Sequence, residues 1–116
     1  MLKYLEELCC LNGISGDEGN VRDFIIEHAK NKADKITVDA LGNVIVFKKG
    51  KLRGTKLMLS AHMDEVGFMV EKITEEGYLK FSAVGGIDPR VILGRKVYVI
   101  KIHFGKFNGG NLFVIQ

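Results

Sequence analysis

The sequence predicts an α/β domain in which two N-terminal helices pack on a mixed sheet and a β-rich stretch follows. Three observations carry that expectation. Apolar residues recur at helical spacing early in the chain, alternating β-type runs begin after Asn31, and "TKLMLSAHMDEVGFMV" is nearly unbroken in its apolar first half. At 116 residues the chain has the size of one domain, long enough to bury roughly two-thirds of the surface its unfolded form exposes.

The elements follow in order. In residues 1–11, Leu2, Leu5, Leu8 and Cys9 recur at three- and four-residue steps, which predicts a short helix with one buried face. "NGISGDEGN" then supplies turn glycines, Ser15 as a candidate cap, and Asp17 and Glu18 where acids suit the first turn of a helix. That second helix is expected over residues 17–30, burying Val21, Phe24 and Ile25, with His28 a half-buried or surface residue beside Glu27. "KITVDALGNVIVFKKG" alternates through Ile36 and Val38, turns at "ALGN" and resumes as "VIVF", the pattern of a hairpin. The apolar run at 56–61 fits a central strand covered on both faces and paired with "NVIVF". A further strand is expected beyond Gly67, with a turn at Glu76 and Gly77 inside "TEEGYLKFSAVGG". From Gly86, "IDPRVILGRKVYVI" holds the sole proline, Pro89, and opens a new β-rich stretch.

Composition excludes several roles. With 47% apolar and 27% charged residues the chain reads as a soluble globular protein, and no run approaches the ~18 apolar residues of a membrane span. A net charge of +3, with cations and acids interleaved along most of the chain, predicts no nucleic-acid partner. The basic stretch "FKKGKLRGTK" reads as a solvated loop between two apolar runs. Cys9 and Cys10 are adjacent and lack a second cysteine or histidine cluster, so they are expected as reduced helix residues rather than zinc ligands. "MLKYLEELCCLNG" carries acids among its apolar residues and lacks a basic flank and a cleavage site, which predicts a cytoplasmic protein.

The chemistry concentrates in "LSAHMDEVGFMV". In extended chain, residues i and i+2 point the same way, so His62 and Asp64 should share a face while Met63 and Glu65 turn from it. A metal-ligating histidine works best when its other ring nitrogen donates to a carboxylate, and Asp64 is placed to be that carboxylate. The same spacing also suits a hydrogen-bonded histidine at a strand end. A glycosidase would need two carboxylates facing each other ~5 Å or ~6.5–9.5 Å apart, which adjacent Asp64 and Glu65 do not offer. Neither Ser60 nor the cysteines sit in a nucleophile elbow such as GxSxG.

Taken in order, "NGISGDEGNVRDFI", "DALGNVIVFKKG", "LMLSAHMDEVGFMV" and "VGGIDPRVILGRKVYV" resemble the amino-terminal part of the cytoplasmic metalloaminopeptidases of the glutamyl-aminopeptidase and tetrahedral-aminopeptidase type, some of whose relatives carry an endoglucanase label. The resemblance implies a layered catalytic domain of zinc-exopeptidase type and a hydrolase with two metal ions, zinc or cobalt, that removes amino-terminal residues from peptides. It implies that His62 is a ligand of one metal and that Asp64 is the catalytic-site acid that orients it. Glu65 matches the motif without a ligand role. It also implies a partial catalytic domain over residues 1–85 and the start of a β-rich oligomerisation insert over 86–116.

A complete member is roughly three times as long and draws its remaining ligands and its general-base glutamate from segments that lie downstream. A two-metal site needs several carboxylate and imidazole ligands and a base for the attacking water. The expectation is therefore a truncated chain that is inactive alone and binds metal weakly or not at all. The alternative is a non-catalytic assembly module that self-associates, at least as a dimer, or pairs with a full-length paralogue. The tail "IKIHFGKFNGGNLFVIQ" departs from the family pattern, and its His103 inherits no role.

Overall fold

Two helices lead the chain, as their spacing predicts: α1 over Leu2–Cys9 and α2 over Gly19–Ala29. The structure, a computed structural model, describes residues 2–102 and 112–115. His103 lies outside the described residues. Two compact units form, Met1–Asp64 and Glu65–Gln116.

In the first unit, α1 does not bury the face that its spacing predicts, since Leu2 and Leu5 stay exposed. It meets α2 through aromatic edges instead: the Tyr4 ring stands 5.2 Å from that of His28, which in turn tilts over Phe24 at 4.0 Å. The His28 Nδ1–H donates to the Phe24 carbonyl at 2.8 Å, the contact of a structural histidine within its own helix. Helix α2 starts later than residue 17. Glu18 is its N-cap and makes no side-chain cap bond, while the Glu18 carboxylate accepts from the Gly16 N–H at 2.7 Å and closes the turn before the helix.

Strands β1 (Lys35–Val38) and β2 (Val44–Phe47) form the expected antiparallel hairpin, with Ile36 opposite Val46 and Val38 opposite Val44; α2 lies against β2. Its turn is held by Asp39, whose carboxylate accepts from the N–H groups of Leu41 and Asn43, both at 2.9 Å, and from Asn43 Nδ2 at 2.8 Å. Gly42 takes φ +89° there, a left-handed conformation that a side chain would strain. The Asn43 side-chain bond, with the backbone donors, holds the Asp39 carboxyl below its ordinary value of 3.8.

The strand expected at 56–61 is not formed. Strand β2 pairs with β1 alone, and Leu57, Met58 and Leu59 are 84%, 86% and 87% exposed. An apolar run of this kind records what a strand needs, neighbours on both edges and cover on both faces. No described strand supplies either.

In the second unit, β3 (Gly67–Ile73) and β4 (Leu79–Val84) make a hairpin around Thr74–Tyr78, with Glu75 and Glu76 in its turn as expected. A bulge at Glu71 separates the Val70–Phe81 and Lys72–Lys80 pairs. After a single 3-10 turn at Pro89–Val91, β5 (Val99–Ile102) and β6 (Leu112–Ile115) complete a sheet of order β4-β3-β6-β5. Both described sheets are antiparallel, which corrects the expected mixed sheet. Parallel pairing needs a crossover of roughly a dozen residues or more, and here the helices precede the strands instead of alternating with them.

Among the described residues the buried apolar side chains are Ile14 and Val21 in the first unit and Phe68 in the second, where its ring meets Phe81 edge-on at 4.8 Å. Gly13 makes the first of these clusters possible, because a Cβ at that position would stand 2.7 Å from Val21 Cγ2 and 3.5 Å from the Met63 carbonyl oxygen. Gly13→Ala should therefore destabilise the first unit by ~1–3 kcal/mol through overpacking, read as a lower urea midpoint at unchanged slope.

The Asp39 turn predicts a pH effect of definite sign. A carboxyl depressed in the folded state stabilises above its ordinary 3.8, and that stability is lost as the pH falls through the lower folded value. Carboxyl 13C titration should place the Asp39 midpoint below 3.8, and Asn43→Ala should raise it.

Candidate functional site

His62 and Asp64 lie at the end of the first unit, and they share a face as the two-residue spacing predicts. His62 Nδ1 stands 2.9 Å from the Asp64 backbone carbonyl and 3.2 Å from Asp64 Oδ1. Both partners are acceptors, so Nδ1 carries the proton and donates to them. In the neutral ring the lone pair is then on Nε2. The imidazole is 85% exposed and the Asp64 side chain 41%, so the pair is a surface one whose free nitrogen faces solvent.

Asp64 is held from its other oxygen by the Ser15 hydroxyl, which donates to Oδ2. The spacing of Ser15 before α2 predicts a cap, but its hydroxyl donates instead to a carboxylate 49 positions away. No local pattern signals such a contact. The Ser15 bond is the chief reason that the Asp64 carboxyl lies below its ordinary 3.8; partial desolvation opposes it, and Asp64's own N–H and His62 assist.

The order of the three side chains limits what they can do. Ser15 donates to Asp64 and Asp64 accepts from His62, so the histidine does not touch the hydroxyl and cannot take its proton. What the arrangement does is fix a tautomer and a ring direction, leaving one imidazole nitrogen available to an electrophile or cation. As a metal centre the set is incomplete. Closed sites take about four ligands, and the described residues contain no group of three or more histidine, cysteine, aspartate or glutamate side chains that could hold an ion. Cys9 and Cys10 are free and exposed.

Ser15→Ala should raise the Asp64 carboxyl toward its ordinary value and loosen His62. The measurement is a carboxyl 13C titration of Asp64 in both proteins, with His62 ring-nitrogen shifts as a report on the tautomer.

Comparison with known proteins places the chain. The M42 glutamyl aminopeptidase family matches residues 42–112. A putative aminopeptidase of Acetivibrio thermocellus is 46% identical over 97 residues, covering 84% of this chain and 29% of that protein. The crystal structure of an endoglucanase from Thermotoga maritima superposes with a TM-score of 0.76 at 50% identity, over 83% of this chain and 31% of that one. An aminopeptidase from Desulfurococcus kamchatkensis superposes with a TM-score of 0.80 at 29% identity, over 97% of this chain and 36% of that one. The chain thus spans about a third or less of these relatives.

Proposed function

From the premise that the chain belongs to the M42 glutamyl aminopeptidase family, we propose that it contributes one corner of a metal-dependent aminopeptidase centre acting on the free amino termini of peptides. In this reading His62 offers Nε2 to a divalent ion, zinc or cobalt, Asp64 orients the ring, and Ser15 anchors Asp64. The observation that carries it is the donation from His62 Nδ1 to the Asp64 carbonyl and carboxylate, at 2.9 and 3.2 Å, which reserves the opposite nitrogen. A bound divalent ion would supply Lewis acidity and an acidified water. The described residues add a positioned imidazole and nothing that closes the coordination shell.

The proposal extends to the domain division: residues 1–85 as a partial catalytic domain and 86–116 as the start of a β-rich insert, with the sheet continuing across that division through the β3–β6 pairing. The endoglucanase reading has less support. Retaining and inverting glycosidases need two opposed carboxylates, and the Asp64 carboxylate is occupied by Ser15 and His62.

A second reading, that the chain acts as an assembly module that pairs with itself, is favoured by the exposed Leu57, Met58 and Leu59.

The purified 116-residue chain should release no amino acid from leucyl or glutamyl chromogenic substrates above background, even with added zinc or cobalt. Loss of general-base help alone removes ~10²–10⁴-fold in rate. Cobalt should nevertheless broaden the His62 ring resonances selectively, and His62→Ala should abolish that effect. Metal-dependent hydrolysis lost in His62→Ala would show instead that subunits complete the centre between them. Cobalt broadening that leaves His62 untouched would remove it as a ligand.

A further inference from the structure

We propose that the adjacent thiols of Cys9 and Cys10 form a chelating site for monosubstituted trivalent arsenic, offered as an organic arsonous acid. The site is separate from His62 and does not rest on the metal-centre reading.

The two cysteines are consecutive, free and exposed. Cys9 is the last residue of α1, and Cys10 stands in the turn that follows. There the backbone has tightened to three-residue bonds, from the Cys10 N–H to the Glu7 carbonyl and from the Leu11 N–H to the Leu8 carbonyl, both at 3.2 Å. Bringing the two side chains together therefore disturbs a terminal turn and leaves the helix interior alone. Neither thiol gives up buried packing in the process.

Geometry, ligand count and charge select the occupant. A disulfide prefers Cα atoms ~4.4–6.8 Å apart, whereas consecutive Cα atoms lie about 3.8 Å apart, so direct closure is strained and an atom set between the sulfurs relieves it. Zinc normally closes about four ligands, and the described residues contain no group of three or more side chains that could hold it. Cuprous ion accepts two soft thiolates, but displacing two protons for one positive charge leaves a net negative complex. That charge would sit at the C-terminal end of α1, the negative end of its dipole, with no basic residue in the last turn. Monosubstituted arsenic needs only two thiols, and its adduct is neutral. Two arsenic–oxygen bonds break as two arsenic–sulfur bonds form, each thiol proton leaves with a hydroxyl group as water, and arsenic stays trivalent.

The test mixes the reduced 116-residue chain with phenylarsonous acid. Intact-mass spectrometry should show one arsenic per chain with loss of two waters, and both thiols should then resist iodoacetamide. The adduct should survive excess glutathione, a monothiol, and be released by dimercaptopropanol, a dithiol. Because the second bond closes within one molecule, Cys9→Ser and Cys10→Ser should each weaken arsenical binding ~10²–10⁴-fold, with circular dichroism reporting an unchanged fold. A single-cysteine variant that holds the arsenical as tightly as the parent chain would reduce the pair to independent thiols and overturn the proposal. One arsenic bridging two chains, or retention of cuprous ion in preference when both are offered in equal amounts, would overturn it as well.

Discussion

The close approach of Gly13 to Val21 is the constraint on which the first unit depends. A side chain at position 13 would stand 2.7 Å from a Val21 methyl, so the loop before α2 can lie this near the helix only with hydrogen there. Ile14, next in the chain, is one of the buried apolar side chains among the described residues, and Ser15 follows it. Ser15 holds Asp64, and Asp64 holds the proton-bearing nitrogen of His62. A single backbone contact therefore stands upstream of the direction in which an imidazole lone pair points. The link runs from a steric fact to a tautomer.

Hydrogen-bond range separates the parts of this chain that are self-sufficient from the part that is not. The β1–β2 hairpin closes over a turn whose donors and acceptor lie within five residues, Asp39 to Asn43. The β3–β4 hairpin likewise closes on Thr74, whose backbone and side chain meet Gly77 and Tyr78. Neither needs a distant partner. The run at 56–61 is apolar through Leu57, Met58 and Leu59, yet its leucines remain in solvent because a strand covered on both faces depends wholly on other elements.

The site shows the same division. His62 and Asp64 were legible because a two-residue offset in extended chain brings side chains to one face regardless of the rest of the fold. The role of Ser15 is not legible for a corresponding reason: a serine shortly before a helix satisfies the local rule for a cap, and that rule contains no information about a carboxylate far along the chain. The helix begins later, with Glu18 at its N-cap, so Ser15 is not at the capping position and its hydroxyl donates to Asp64.

The sequence by itself determined the two helices, both hairpins, the Asp39 turn and the facing of His62 with Asp64, together with the resemblance that its ordered motifs carry. All of these rest on contacts a few residues apart or on the order of segments. Only the tertiary structure decided that Ser15 serves Asp64, that α1 meets α2 through Tyr4 and His28 with its leucines exposed, that both described sheets are antiparallel, and that residues 56–61 form no strand. Periodicity states which faces a segment would bury. Whether anything covers those faces depends on partners distant in the chain, and no local pattern encodes them.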